Sequence, residues 1–94
     1  MHIRVVRFTD VDRAKIDAIQ ARMDEAGGPP EGVDSTGIKF VVDEEQGTAV
    51  VIQFFENEEK MRSSEAALEA MDPGDTPGTR ASVDRGEVVA EAEA

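Results

Sequence analysis

Thr48-Ala49-Val50-Val51-Ile52-Gln53-Phe54-Phe55 is the most apolar stretch of the chain. Read at the strand period of two, it puts Val51 and Phe55 on one face and Val50, Ile52 and Phe54 on the other. A strand that is apolar on both sides belongs inside a sheet with something packed on each surface. One other segment has this property. His2 to Thr9 carries Ile3 and Val5 on one face and Val6 and Phe8 on the other, interrupted by Arg4 and Arg7, one cation per face. These two segments are therefore expected side by side in the centre of one sheet.

Working outward, the polar run Asp43-Glu44-Glu45-Gln46-Gly47 precedes the apolar strand and ends on Gly, as a short hairpin with a left-handed residue requires. Before it, Ile38, Phe40 and Val42 alternate with Lys39 and Val41, the pattern of a half-buried strand. Residues 31–35 read as a loop. Ile16, Ile19, Met23 and Ala26 recur at helical spacing behind Thr9 or Asp10 as the cap, and Gly27-Gly28-Pro29-Pro30 stops that helix. After the apolar strand, Asn57 caps a second helix whose stripe is Met61, Ser64, Leu68 and Met71, with Asp72-Pro73-Gly74 as its stop. A last strand is expected from about Arg80 to Ala90, with a bulge at Gly86. Its Asp84, Arg85 and Glu87 suit a sheet edge, where charge discourages stray pairing.

The fold class that follows is α+β: a ferredoxin-like β-α-β-β-α-β chain, an antiparallel sheet with two helices on one face. Residues 1–90 are expected to form one domain, and 91–94 a short acidic tail. Two helical stripes cover one sheet face. The other face keeps the remaining apolar side chains of both central strands, a patch soluble proteins rarely leave bare. A sheet-to-sheet homodimer around a two-fold axis is the expected remedy.

Composition narrows the chemistry. The 94 residues contain no Cys, Trp or Tyr, and the net charge is −11. Without Cys there are no disulfides, thiolate metal sites or thiol nucleophiles, and a disulfide-free domain of this size points to the cytoplasm. The acidic balance argues against nucleic acid and anionic membrane as partners, since both need a basic surface. Met1-His2-Ile3-Arg4 runs directly into the first strand pattern rather than into a signal peptide, and no run approaches the length of a membrane helix. The lone His2 reads as a surface histidine, and Asp43-Glu44-Glu45 lacks the ligand spacing of a calcium loop, so no metal is expected.

The element order, and above all Thr48-Ala49-Val50-Val51-Ile52-Gln53-Phe54-Phe55-Glu56-Asn57-Glu58-Glu59-Lys60-Met61, resembles the dimeric α+β barrel superfamily. Its best-known branch is the antibiotic-biosynthesis-monooxygenase-like domains, and the resemblance is nearest to small bacterial members. It implies a pocket between sheet and helices. Cofactor-free monooxygenases of this kind act on polycyclic aromatic substrates with Asn and Trp among the implicated residues, and haem-degrading relatives use His with Asn and Trp. This chain has no Trp, its one Asn (Asn57) stands at a helix cap, and its one His (His2) lies beside the N-terminus. The resemblance therefore implies the fold and a pocket, with no cofactor.

Candidate ligand contacts follow from chemistry that the core does not need. Arg4 and Arg7 are strand cations that must find a partner or a water-lined cavity. One reading pairs them with Asp84 or Glu87 on a neighbouring strand; the other gives them a ligand anion or carbonyl. Thr76 and Thr79, with Arg80 beside them, belong to or adjoin a turn-rich loop longer than a helix stop requires, and loops of that kind sometimes line a pocket. Phe40 and Phe54 are the aromatic candidates above a cavity. Ser63 and Ser64 lie within a helix with no His nearby in sequence, so no nucleophile is indicated. Three functional readings stand: a homodimer that binds a small apolar molecule between helices and sheet; a cofactor-independent monooxygenase or isomerase on an aromatic or polyketide-like substrate; and a structural or interaction module without a pocket.

Overall fold

The computed structural model describes residues 1–28, 32–70 and 77–93. The order is β1 (His2–Thr9), α1 (Arg13–Ala26), β2 (Gly37–Asp43), β3 (Thr48–Phe55), α2 (Glu58–Glu69) and β4 (Thr79–Glu87). The strands form one antiparallel sheet in the order β2-β3-β1-β4, so the two doubly apolar strands are central and the charged β4 is an edge. This is the ferredoxin-like arrangement expected from the sequence.

Register assigns the faces. Arg4 lies opposite Gln53, Val6 opposite Val51 and Phe8 opposite Ala49. Ile38, Phe40 and Val42 of β2 and Arg85, Val83 and Arg80 of β4 extend these rows. This surface faces the helices, and Arg4, Val6, Phe8, Ala49, Gln53 and Phe55 on it are buried. The opposite surface carries Ile3, Val5 and Arg7 of β1, Val50, Ile52 and Phe54 of β3, and Lys39 and Val41 of β2. No helix among the described residues packs on it, and Val41 is 50% exposed. Lys39 Nζ lies 5.9 Å from the centre of the Phe54 ring on this side, a cation–π distance.

The helices are unequal. α2 packs on β1 and β3. Met61 joins Val33 and Phe55 in the core, with Ala67 and Leu68 against them. Ser64, fully buried, donates to Lys60 O at 2.8 Å and accepts from Asp34 N at 2.8 Å, tying the segment before β2 to the helix. α1 stands further off: of its stripe only Ile16 is buried, Ile19 and Met23 are half-buried and Ala26 is exposed.

Several expectations need correction. The α1 cap is Asp12, whose carboxylate accepts from Lys15 N at 2.8 Å, rather than Thr9 or Asp10. The chain first takes a left-handed turn at Asp10 (φ 55°), and a hydrogen bond from Val11 N to Gly47 O pins it to the hairpin. Asn57 caps α2 as expected, accepting from Lys60 N at 2.9 Å. The irregularity in β4 is not at Gly86, which pairs in register with Ile3. It lies at Ala81, between the pairs Arg7–Ser82 and Phe8–Arg80. β4 ends at Glu87, short of Ala90. Val33 lies in a loop as expected, yet it is 6% exposed and part of the core. Pro29, Pro30, Met71 and the Asp72-Pro73-Gly74 stop lie outside the described residues.

Candidate functional site

Because α1 stands off the sheet, a cleft opens between it and β2. Arg13, Ile16, Gln20, Met23 and Asp24 line it from the helix, and residues 40–44 from the strand and hairpin. It is open to solvent and has a volume of about 940 Å³. Its lining is mixed, apolar at Ile16, Met23, Phe40 and Val42 and acidic at Asp24, Asp43 and Glu44. Arg13 is the cation there, and it is engaged by Glu44 and Asp17. Asp43 accepts from the backbone and side-chain amides of Gln46, which closes the hairpin. The strand places Phe40 and Val42 two residues apart on one face, and the helix places Ile16 and Met23 two turns apart above them.

One row further along the same sheet surface is a polar patch. Arg4 and Gln53 are cross-strand partners, 4% and 5% exposed. Arg4 Nη2 donates to Glu69 Oε1 on α2 at 2.9 Å, and the other oxygen of Glu69 accepts from Arg80 Nη1 at 2.8 Å. Burial pulls the Arg4 guanidinium below its ordinary value, against the opposing pull of Glu69. The Arg80 hydrogen bond, with the charges of Arg80 and Arg4, holds the Glu69 carboxyl below the usual carboxylate range. Beyond Arg4, Arg85 grips Glu65 through two bonds of 2.8 and 2.9 Å. Two buried atoms stay without a hydrogen-bond partner among the described residues: Arg4 Nε and Gln53 Oε1. An unmet buried donor or acceptor costs about 1–3 kcal/mol, so each such atom is unusual.

Of the residues singled out from sequence, Arg4, Phe40 and Arg80 come to the helix-facing side. Arg7 and Phe54 lie on the opposite surface, so no single cavity lies beneath both Phe40 and Phe54. Arg4 does pair with a carboxylate, but the partner is Glu69 of α2 and not Asp84 or Glu87 of β4. Asp84, opposite Val5, faces the other way. Thr79 is exposed at the start of β4, opposite Thr9, and Thr76 lies outside the described residues. Sequence reasoning missed Gln53 and Glu69. For Gln53 there was a signal, the one amide inside the most apolar strand; for Glu69 there was none, since a carboxylate late in an acidic helix reads as surface. His2 pairs with Phe55 at the far end of the sheet and is not among the cleft-lining residues. No group of three or more His, Asp or Glu among the described residues is placed to hold a metal ion. No helix among them is long and apolar enough to cross a membrane.

No protein-family profile matches the chain, and no curated protein matches it by sequence. Solved structures match by fold. A crystal structure of a mutant of MhuD, with two manganese protoporphyrin IX molecules bound per active site, superposes with a TM-score of 0.66 at 15% identity, covering 100% of both chains. At that identity the likeness establishes a shared ferredoxin-like α+β architecture, end to end.

Proposed function

We propose that the protein is a homodimeric α+β barrel of the antibiotic-biosynthesis-monooxygenase-like kind, acting in the cytoplasm, that holds a small apolar molecule between helix and sheet. The observation that carries this reading is the open cleft between α1 and β2, whose lining includes Ile16, Met23, Phe40 and Val42 beside polar residues. A module with no ligand would be expected to seat α1 on the sheet and bury Met23 and Ile19, which here stay half-exposed. The uncovered face of Ile3, Val5, Val50, Ile52 and Phe54 supports the pairing, and the full-length fold match supports the superfamily.

MhuD is crystallised with a metalloporphyrin, but the residues of this chain do not fit a haem in the cleft. The one imidazole, His2, is not among the cleft residues, and the Asn57 side chain is committed to its cap. The lining presents Asp24, Asp43 and Glu44 against one engaged arginine, a balance that repels porphyrin carboxylates. A neutral ligand suits the site. A second reading, a cofactor-independent monooxygenase or isomerase, is favoured by the buried polar pair Arg4–Gln53 on the same sheet surface.

Native mass spectrometry of untagged protein purified from its source tests the proposal. The expected result is twice the chain mass plus a constant small adduct. A clean monomer overturns the pairing. A clean dimer without adduct overturns the ligand and leaves an interaction module.

A further inference from the structure

We propose that the free edge of β2 is the polar side of the ligand site and recognises a flat, neutral molecule with a donor and an acceptor side by side, as in a lactam. The inference rests on the cleft being a ligand site and adds the group that selects the ligand. Phe40, Val41 and Val42 all line the cleft. Consecutive strand residues send their side chains to opposite faces, and Val41 belongs to the surface away from the helices. A cleft that touches all three reaches the main chain of β2, beyond the side chains of one face. β2 has β3 on one side and no strand on the other. Among the described residues, no loop or side chain hydrogen-bonds to the main chain of residues 38–42 from that free side.

In an antiparallel strand the N–H and C=O of one residue point to the same side, and the side alternates along the chain. Whichever set faces β3, residues 40–42 include at least one that offers both groups to the open side. This is the unpaired edge that strand-adding ligands use. The charged side chains of the lining are mostly spoken for: Arg13 by Glu44 and Asp17, and Asp43 by Gln46. A carboxylate ligand has no free cation to meet and brings no donor for the strand carbonyl. An amide held cis within a ring has its N–H and C=O on one side, so it donates to the strand carbonyl and accepts from the strand N–H together. Its ring body then has Ile16, Met23 and Phe40 to lie against. An ester of the same shape has no donor and makes only one of the two bonds.

The test compares 2-quinolinone, coumarin and N-methyl-2-quinolinone by titration calorimetry against the full-length protein. The three share a flat bicyclic shape and a ring carbonyl, and only the first has the N–H. It should bind at least about 5-fold more tightly than either of the others. Amide NMR then locates the contact. Saturating 2-quinolinone should shift and slow the exchange of alternate β2 amides within residues 38–42, and coumarin should not reproduce the slowing. Gln20→Ala, which removes the neutral polar side chain of the lining, should leave the preference intact because the main chain makes the bonds. Equal binding of all three overturns this inference and leaves the apolar site standing. Loss of the preference in Gln20→Ala also overturns it and gives the recognition to that side chain. Binding of none overturns the ligand site itself, and this inference with it.

Discussion

Arg4 sits in the middle of a central strand with its side chain 5% exposed, and Glu69 reaches down from α2 to hold it. Removing one partner of a fully buried ion pair costs about 3–5 kcal/mol, but Glu69 is 45% exposed, so water can partly replace it. Glu69→Ala is therefore expected to cost about 1–2 kcal/mol in urea unfolding at pH 7. Arg80→Ala, at the exposed end of the same network, should cost under about 1 kcal/mol. A loss from Arg80→Ala as large as that from Glu69→Ala would mean that Arg4 does not dominate the network. The pH dependence has a definite sign. The Glu69 carboxyl titrates below its ordinary value because Arg80 and Arg4 favour its charged form. Its stabilising contribution is complete above the unfolded glutamate value near about 4.3 and is lost as pH falls through the lower folded value. The stability gap between wild type and Glu69→Ala should accordingly hold from pH 7 to 5 and close below pH 4.

At the scale of the element, the two helices have the same kind of cap and different anchorage. Asp12 caps α1 and Asn57 caps α2, each by accepting from the backbone N–H three residues on. Either cap replaced by Ala costs about 1 kcal/mol of helix stability. α2 carries Met61 and Ser64 into the core, so Asn57→Ala should lower global stability. α1 buries Ile16 alone, so Asp12→Ala should appear first as faster hydrogen exchange across residues 13–26, with a smaller global loss. Equal global losses would mean that α1 is as firmly seated as α2, and the cleft beneath it would then be in question. The entry to β4 has its own constraint. A Cβ at Gly78 would lie 2.2 Å from the carbonyl oxygen of Thr9, a backbone atom that cannot step aside. Gly78→Ala is expected to cost about 2–3 kcal/mol by thermal or urea unfolding.

For the whole molecule, the open sheet face is where pairing is expected. Ile52 lies at its centre, between Val5 on β1 and Lys39 on β2. Ile52→Asp should convert the expected dimer to a monomer in sedimentation velocity, and so should Val41→Asp, which sits on the exposed edge strand and spares the core. Each protomer carries a net charge of −11, and pairing brings two such charges together. Salt screens that repulsion, so dimer affinity should tighten between 50 and 500 mM salt, opposite to an interface held by ion pairs. Affinity that weakens with salt would argue that Lys39, Arg7 and Asp84 pair across the interface instead.

What was legible in the sequence was whatever depends on local period and on turn chemistry. Thr48–Phe55 and His2–Thr9 carry apolar residues at both parities of the strand period, and that alone marked them as central. Gly27 and Asn57 mark helix ends because an orphan carbonyl or amide there needs a left-handed residue or a side-chain acceptor. The α1 cap was misplaced because Thr9, Asp10 and Asp12 are all competent caps. The choice among them was made by the bond from Val11 N to Gly47 O, a contact thirty-six residues away in sequence. The site was mostly illegible for the same reason. Period two says that Arg4 and Arg7 face opposite ways, but not which face the helices take. Only packing put Arg4 under Glu69, Phe40 beside the cleft and Phe54 on the far side. The distance between α1 and the sheet, and so the cleft itself, is a property of how two surfaces meet; residues on either surface alone do not encode it.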